Sequence, residues 1–218
     1  MLNERIRLRV LIVEDQPFDA ELIQKKLQNS GFELALTRVE TEAAFCTALA
    51  AGPDIVFSDY HLPQFSGLRA LAIVRSSKSE IPFILISGGI NEEQAVEVMR
   101  LGADDFLLKD RLGRLGTAVT SALERRRLRE TARQSEQRHR ATFEIAPIGI
   151  VNTALDGRFI EANQQACDIL GYSCEELLGM TFLDVTHSAD RAAAKVFREQ
   201  LLAGGISRTV PREKRYIR

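Results

Sequence analysis

Neither sign of charge is in excess in this chain. Its 218 residues hold 29 basic and 30 acidic side chains, a net charge of -1, so no global field draws it to nucleic acid or to a lipid surface. Cysteine is scarce, with only Cys46, Cys167 and Cys174 and no C-x-x-C spacing. Such a set suits neither a disulfide framework nor a thiolate zinc site, and its odd count fits a reducing, cytoplasmic compartment. No stretch approaches the roughly 18 apolar residues that span a bilayer. The first nine residues carry Glu4, Arg5, Arg7 and Arg9 with no apolar core ahead of a cleavage site, so no membrane partner is expected. No internal repeat is visible, and His61, His139 and His187 are too scattered for a metal cluster. What remains is an ordinary globular balance, 45% hydrophobic and 27% charged, sized for one large domain or two small ones.

The near-neutral total conceals a division. Residues 1–123 carry a net charge of -4, residues 124–140 of +4 and residues 141–218 of -1. The middle segment, Glu124 to Arg140, has no Gly or Pro and consists largely of good helix formers, as an exposed connecting helix would. The chain therefore divides into an N-terminal domain (1–123), a helical linker (124–140) and a C-terminal segment (141–218).

Two periods alternate in the N-terminal domain. Residues 9–13, 54–58, 82–86 and 105–108 are short, almost wholly apolar runs, as expected of parallel strands buried on both faces. Amphipathic stretches lie between them at 17–29, 41–50, 66–75 and 91–100. A weaker strand at 33–39 and a last helix from about Leu112, burying Leu115, Val119 and Leu123, complete five strands and five helices. The pattern predicts an α/β fold, a doubly wound five-stranded parallel sheet with helices on both faces.

In such sheets a site forms beyond the carboxyl ends of the strands. The first strand ends in Glu14-Asp15, the third in Asp59, the fourth in Ser87-Gly88-Gly89 and the fifth in Lys109. Taken singly these are caps, turns and surface charges. Together they put three carboxylates on one rim, which resist ionising together unless a hard cation joins them; Mg²⁺, with its preference for oxygen ligands, is the economical choice. Lys109 adds a positive charge and Ser87 a hydroxyl donor, as the oxygens of a transferring phosphoryl group require.

The runs ending in Glu14-Asp15, Asp59-Tyr-His-Leu-Pro, Ser87-Gly and Gly-Ala-Asp-Asp-Phe106-Leu-Leu-Lys109 resemble, in order and spacing, the flavodoxin-like receiver domain of two-component response regulators, over residues 8 to about 125. The resemblance implies that Asp59 is the phospho-acceptor, and that Asp15, Asp59 and the His61 backbone carbonyl ligate Mg²⁺, with Glu14 acting through water. It implies that Ser87 and Lys109 hold the phosphoryl oxygens and that Phe106 is a switch aromatic. The implied partner is a sensor histidine kinase or a histidine phosphotransfer protein. One departure is Asp110, where the family usually has a proline in a cis peptide; a cis bond to a non-proline residue costs about 2.5–4 kcal/mol, so either a trans bond or a strained cis one is expected.

Beyond Leu123 the apolar positions thin to Leu128 and Ala132, and Arg126, Arg133 and Arg140 spoil a heptad seam. A solvated signalling helix is expected, with weak homodimer pairing through it and the receiver face. From Ala141 the pattern changes to two antiparallel strands around the Asp156-Gly157 turn, then short helices at 163–170, 174–178 and 189–202. Ala-Pro-Ile-Gly-Ile, Leu-Asp-Gly-Arg-Phe, Ala-Asn-Gln-Gln-Ala and Leu-Gly-Tyr-Ser resemble a PAS domain. That family's sheet needs three more strands, so the α+β segment is expected to be incomplete, with an open edge and a half-exposed apolar face. The whole reads as a phosphorylated relay without turnover of a separate substrate. The alternative is an unphosphorylated pseudo-receiver serving as a docking or dimerisation module. No helix-turn-helix follows the receiver, so no direct nucleic-acid contact is expected.

Overall fold

Five parallel strands organise residues 6–132. The structure is a computed structural model, and it describes residues 6–77, 80–89, 91–203 and 213–217. Strands β1 (Ile6–Val13), β2 (Phe32–Val39), β3 (Ile55–Asp59), β4 (Phe83–Ser87) and β5 (Asp105–Leu108) form one sheet in the order β2-β1-β3-β4-β5. All four pairings are parallel, so every strand delivers its carboxyl end to the same rim. The central strands are buried on both faces, whereas β2 at the edge alternates exposed and half-buried positions between two buried ends. That half-solvated face is why its sequence reads as the weakest strand.

The helices cover both faces. On one, Ile23 and Leu27 of α1 (Pro17–Asn29) and Leu115, Val119 and Ala122 of α5 (Leu115–Ile145) pack on Val10, Ile12, Phe57 and Ile84. On the other, Phe45 of α2 (Glu42–Ala50), Leu71 and Val74 of α3 (Gly67–Ser76) and Val98 of α4 (Glu92–Arg100) meet Leu11, Val56 and Leu85. The helix starts follow local chemistry. Pro17 opens α1, the side chains of Thr41 and Ser66 accept N–H bonds at the starts of α2 and α3, and Asn91 with Gln94 forms a capping box on α4.

Between β5 and α5 lies a 3-10 turn, Lys109–Arg114, with Leu112 buried. No peptide bond among the described residues is cis, so the Lys109–Asp110 bond is trans. The expected boundaries at 123/124 and 140/141 both fall inside α5, and the compact units divide between Ala132 and Arg133. Within the first unit, Arg125 and Arg126 donate to the carbonyls of Asp104 and Asp54 at 2.9 and 3.0 Å. Arg129 lies 3.9 Å from both Glu80 and Asp104. These contacts lie at the sheet's amino-terminal edge, opposite the rim.

In the second unit β6 (Val151–Thr153) and β7 (Phe159–Ala162) pair antiparallel. Gly157 stands at the turn between them with φ of 97°, a backbone state that favours glycine. Helices α6 (Gln164–Leu170), α7 (Cys174–Leu178) and α8 (Arg191–Leu202) follow. A small core of Phe159, Cys167, Leu170, Leu177 and Val185 holds the unit. Asn163 is its polar centre: fully buried, it caps α6 at Ala166, accepts from the Ile150 N–H and donates to the carbonyls of Phe143 and Ile148. Among the described residues β6 pairs with β7 alone. Tyr216 makes one bridge, to Thr186; residues 204–212 before it lie outside the described residues. Leu155 and Ile160 are exposed.

The cysteines correct a sequence expectation. Cys167 and Cys174 form a disulfide, with Cα atoms 5.6 Å apart, although composition pointed away from disulfide chemistry. Cys167 lies inside α6, which ends at Gly171 with φ of 79°; the chain then turns, and Ser173 caps α7 so that its first residue, Cys174, returns to α6. Spacing alone cannot reveal that reversal. Cys46 is free and exposed. A Cys167→Ser/Cys174→Ser variant is expected to lose about 2–3 kcal/mol of stability in the second unit, the loop-closure value for so short a loop. Urea unfolding of the oxidised parent beside the variant measures it; equal midpoints would show that the bridge adds nothing.

Candidate functional site

Register builds the rim. Val13 on β1 stands opposite Ser58, so Glu14 follows beside Asp59. Asp59 stands opposite Ile86, so Ser87 is one step beyond it. Ser87 stands opposite Leu108, which places Lys109 next. One oxygen from each of Glu14, Asp15 and Asp59 lies within 4.8 Å of the others. An all-carboxylate set at that separation has the chemistry of a hard divalent cation's ligands, so the residues fit Mg²⁺.

Lys109 ties the cluster together. Its Nζ donates to Glu14 Oε2 at 2.9 Å, Asp59 Oδ2 at 2.6 Å and Asp19 Oδ2 at 2.5 Å. Burial works against the ammonium's charge, but the bonds it donates to Asp19, Asp59 and Glu14 outweigh it and raise the Lys109 pKa above the usual lysine value. Glu14 is 1% exposed, and burial raises its pKa, opposed by the bonds from Lys109 and the Gln16 N–H. Asp15 accepts from the Gln16 side chain at 3.0 Å. Arg38 steadies this turn from β2 by donating to the Glu14 carbonyl at 2.8 Å.

The other expected residues are His61, Ser87 and Phe106. The His61 N–H donates to Asp59 Oδ1 at 3.3 Å. Ser87 is buried, and its hydroxyl oxygen accepts from the Gly89 N–H at 3.3 Å. Phe106 is half-buried; it packs at the edge of the α2–α4 core, and its carbonyl accepts from Arg114 at 2.8 Å. Two functional features escape the sequence reading. Asp19 joins the site from the first turn of α1, where an acidic residue is ordinary helix chemistry. Gly67 lies so close to β3 that a Cβ there would collide with the Asp59 carbonyl and come within 3.1 Å of Leu85 Cδ1.

A family model described as the response regulator receiver domain matches residues 10–120. The chain belongs to the response regulator receiver family. A model of the PAS fold matches residues 126–216, so this response regulator carries a PAS region after its receiver. Among curated relatives, the nitrogen assimilation regulatory protein NtrX of Azorhizobium caulinodans is 34% identical over 131 residues, 59% of this chain and 29% of its own length. The transcriptional regulatory protein PrrA of Mycobacterium bovis is 28% identical over 142 residues, 65% of this chain and 58% of its own. The chain thus spans less than two thirds of these relatives. Among solved structures, the signal receiver domain of a LuxO repressor protein from Vibrio parahaemolyticus matches with a TM-score of 0.52 and 28% identity, over 58% of this chain and 98% of that one. NtrX from Brucella abortus, in complex with ADP, matches with a TM-score of 0.50 and 28% identity, over 58% of this chain and 29% of its own. The response regulator has, among its described residues, no helix long and apolar enough to cross a membrane.

Proposed function

We propose that this response regulator accepts a phosphoryl group on Asp59 from a histidine kinase or a histidine phosphotransfer protein and relays that state through α5 to its PAS region. The observation that carries the reading is the placement of Asp59 Oδ2, 2.6 Å from an ammonium and beside two further carboxylates. An Asp59 oxygen forms a P–O bond as the donor's P–N bond breaks, and the imidazole leaves. Glu14, Asp15, Asp59 and the His61 carbonyl would hold Mg²⁺, which when bound supplies positive charge against the phosphoryl oxygens. Lys109 and the Ser87 hydroxyl donate to those oxygens, and Phe106 turns inward as that hydroxyl moves. The acyl phosphate is a state of the protein rather than a step toward another product, so no separate substrate turns over. The compartment is the cytoplasm, which supplies ATP to a kinase, so the Cys167–Cys174 bridge is one of the uncommon cytoplasmic disulfides. Two copies pair weakly through the receiver face and α5.

Intact-mass spectrometry after incubation with Mg²⁺ and acetyl phosphate tests the reading. One phosphoryl adduct is expected, absent in Asp59→Asn and absent when Mg²⁺ is chelated. No adduct on the parent with any small donor would make the chain a pseudo-receiver, used for docking.

A further inference from the structure

Lys109 has three ammonium hydrogens and meets three carboxylates. Two of these, Glu14 and Asp59, belong to the acidic group at the rim. Asp19 stands outside that group, on the first turn of α1, 90 residues away in sequence. Its bond to Lys109 is the shortest of the three, and its side chain is only 25% exposed. An acidic residue in a first turn is satisfied by the helix's own N–H groups and solvent; this one instead faces a distant lysine at contact distance. Lys109 needs such an anchor, because its ammonium rides on a flexible four-carbon stem and its backbone passes straight from β5 into a 3-10 turn through a trans bond.

We propose that Asp19 is a positioning residue of the acceptor site, anchoring the Lys109 ammonium beside Asp59 while Glu14 and Asp59 engage other partners. The inference rests on the phosphoryl-acceptor reading above. Any cation or phosphoryl group at the rim takes contacts from Glu14 and Asp59, and each contact taken is one that Lys109 loses. Asp19 lies outside that exchange and keeps its bond. The ammonium therefore stays within reach of the phosphoryl oxygens instead of swinging out on its stem.

The test uses the full chain with acetyl phosphate as donor at saturating Mg²⁺. Asp19→Ala is expected to slow Asp59 phosphorylation about tenfold, as a lost positioning contact does. Asp19→Asn, which keeps an acceptor oxygen, should recover most of the rate. The Asp19→Ala/Lys109→Ala double variant should be no slower than Lys109→Ala alone, because Asp19 acts through Lys109. A parental rate in Asp19→Ala, or an effect that adds to that of Lys109→Ala, overturns the proposal. Crystal structures grown at saturating Mg²⁺ without donor supply a second readout: with the cation drawing on Glu14 and Asp59, Lys109 Nζ should leave hydrogen-bond reach of Asp59 in Asp19→Ala and keep it in the parent. If it keeps its place in both, the proposal is overturned. A parent that takes no phosphoryl group while its Lys109 is displaced by Asp19→Ala refutes the acceptor reading and leaves the anchor standing, so the two failures are distinguishable.

Discussion

Lys109→Met is expected to slow phosphorylation of Asp59 by about a hundredfold, the usual consequence of removing a preorganised donor from the transferring group. The same change should strengthen Mg²⁺ binding, because the ammonium and the cation compete for Glu14 and Asp59. Without Mg²⁺ the variant should lose about 3 kcal/mol, since Glu14, Asp19 and Asp59 would face one another with their shared cation gone. Mg²⁺ should restore part of that loss, so the thermal shift on adding it is larger in the variant than in the parent.

The pH dependence has a definite sign. The pKa of Lys109 is raised in the folded state, so its stabilisation is present in full at pH values below the ordinary lysine pKa and fades only as pH climbs through the raised one. Glu14 is also raised, but as an acid it binds more protons folded than unfolded, so stability falls as pH rises from its ordinary value through the elevated one. In Lys109→Met burial acts on Glu14 unopposed by the ammonium, which widens that window. The difference in unfolding free energy between parent and variant should grow from about pH 5 to about pH 7, a range that begins just above the ordinary glutamate pKa. A constant or shrinking difference would show that Lys109 does not hold Glu14 ionised.

Gly67→Ala is the second substitution with a large expected effect, although a single methyl is added. The new Cβ would collide with the Asp59 backbone carbonyl at the end of β3 and press on the side chain of Leu85 on β4. Relief requires α3 to lift or the end of β3 to shift. Overpacking of this kind costs about 1–3 kcal/mol. Because the atom struck belongs to the acceptor's own backbone, the phosphorylation rate should fall as well, even at temperatures where the variant is fully folded. Gly113→Ala is the control: nothing lies within 4 Å of the added carbon, and stability should change by less than about 0.5 kcal/mol. Equal behaviour of the two variants would show that the approach of α3 to Asp59 can be relaxed at no cost.

The rim residues were legible because each stands at or just past the end of a short, almost wholly apolar run. A carboxylate or lysine ending such a run must sit at a strand's carboxyl end, and parallel topology then brings those ends together. Asp19 was not legible, because an acid in a first helical turn already has a local explanation. The Cys167–Cys174 bridge was hidden in the same way, since it depends on the reversal at Gly171 and Ser173. Strand β2 read as weak because it lies at the edge. The continuity of α5 to Ile145 was only half visible: its arginines spoil a heptad seam, yet nothing in their spacing indicates that three of them turn back onto the sheet.

Those three arginines matter to anyone building chimaeras of this protein. Sequence patterning invites a splice at Leu123, where the apolar face of the last receiver helix ends. A splice there would discard Arg125, Arg126 and Arg129, and with them the contacts to Asp104, Asp54 and Glu80. A donor module grafted at that point would inherit a receiver whose final helix is no longer fastened at its foot. The serviceable junction lies past Ala132, and a receiver transplanted with residues 124–132 carries its own fastening to whatever output is attached.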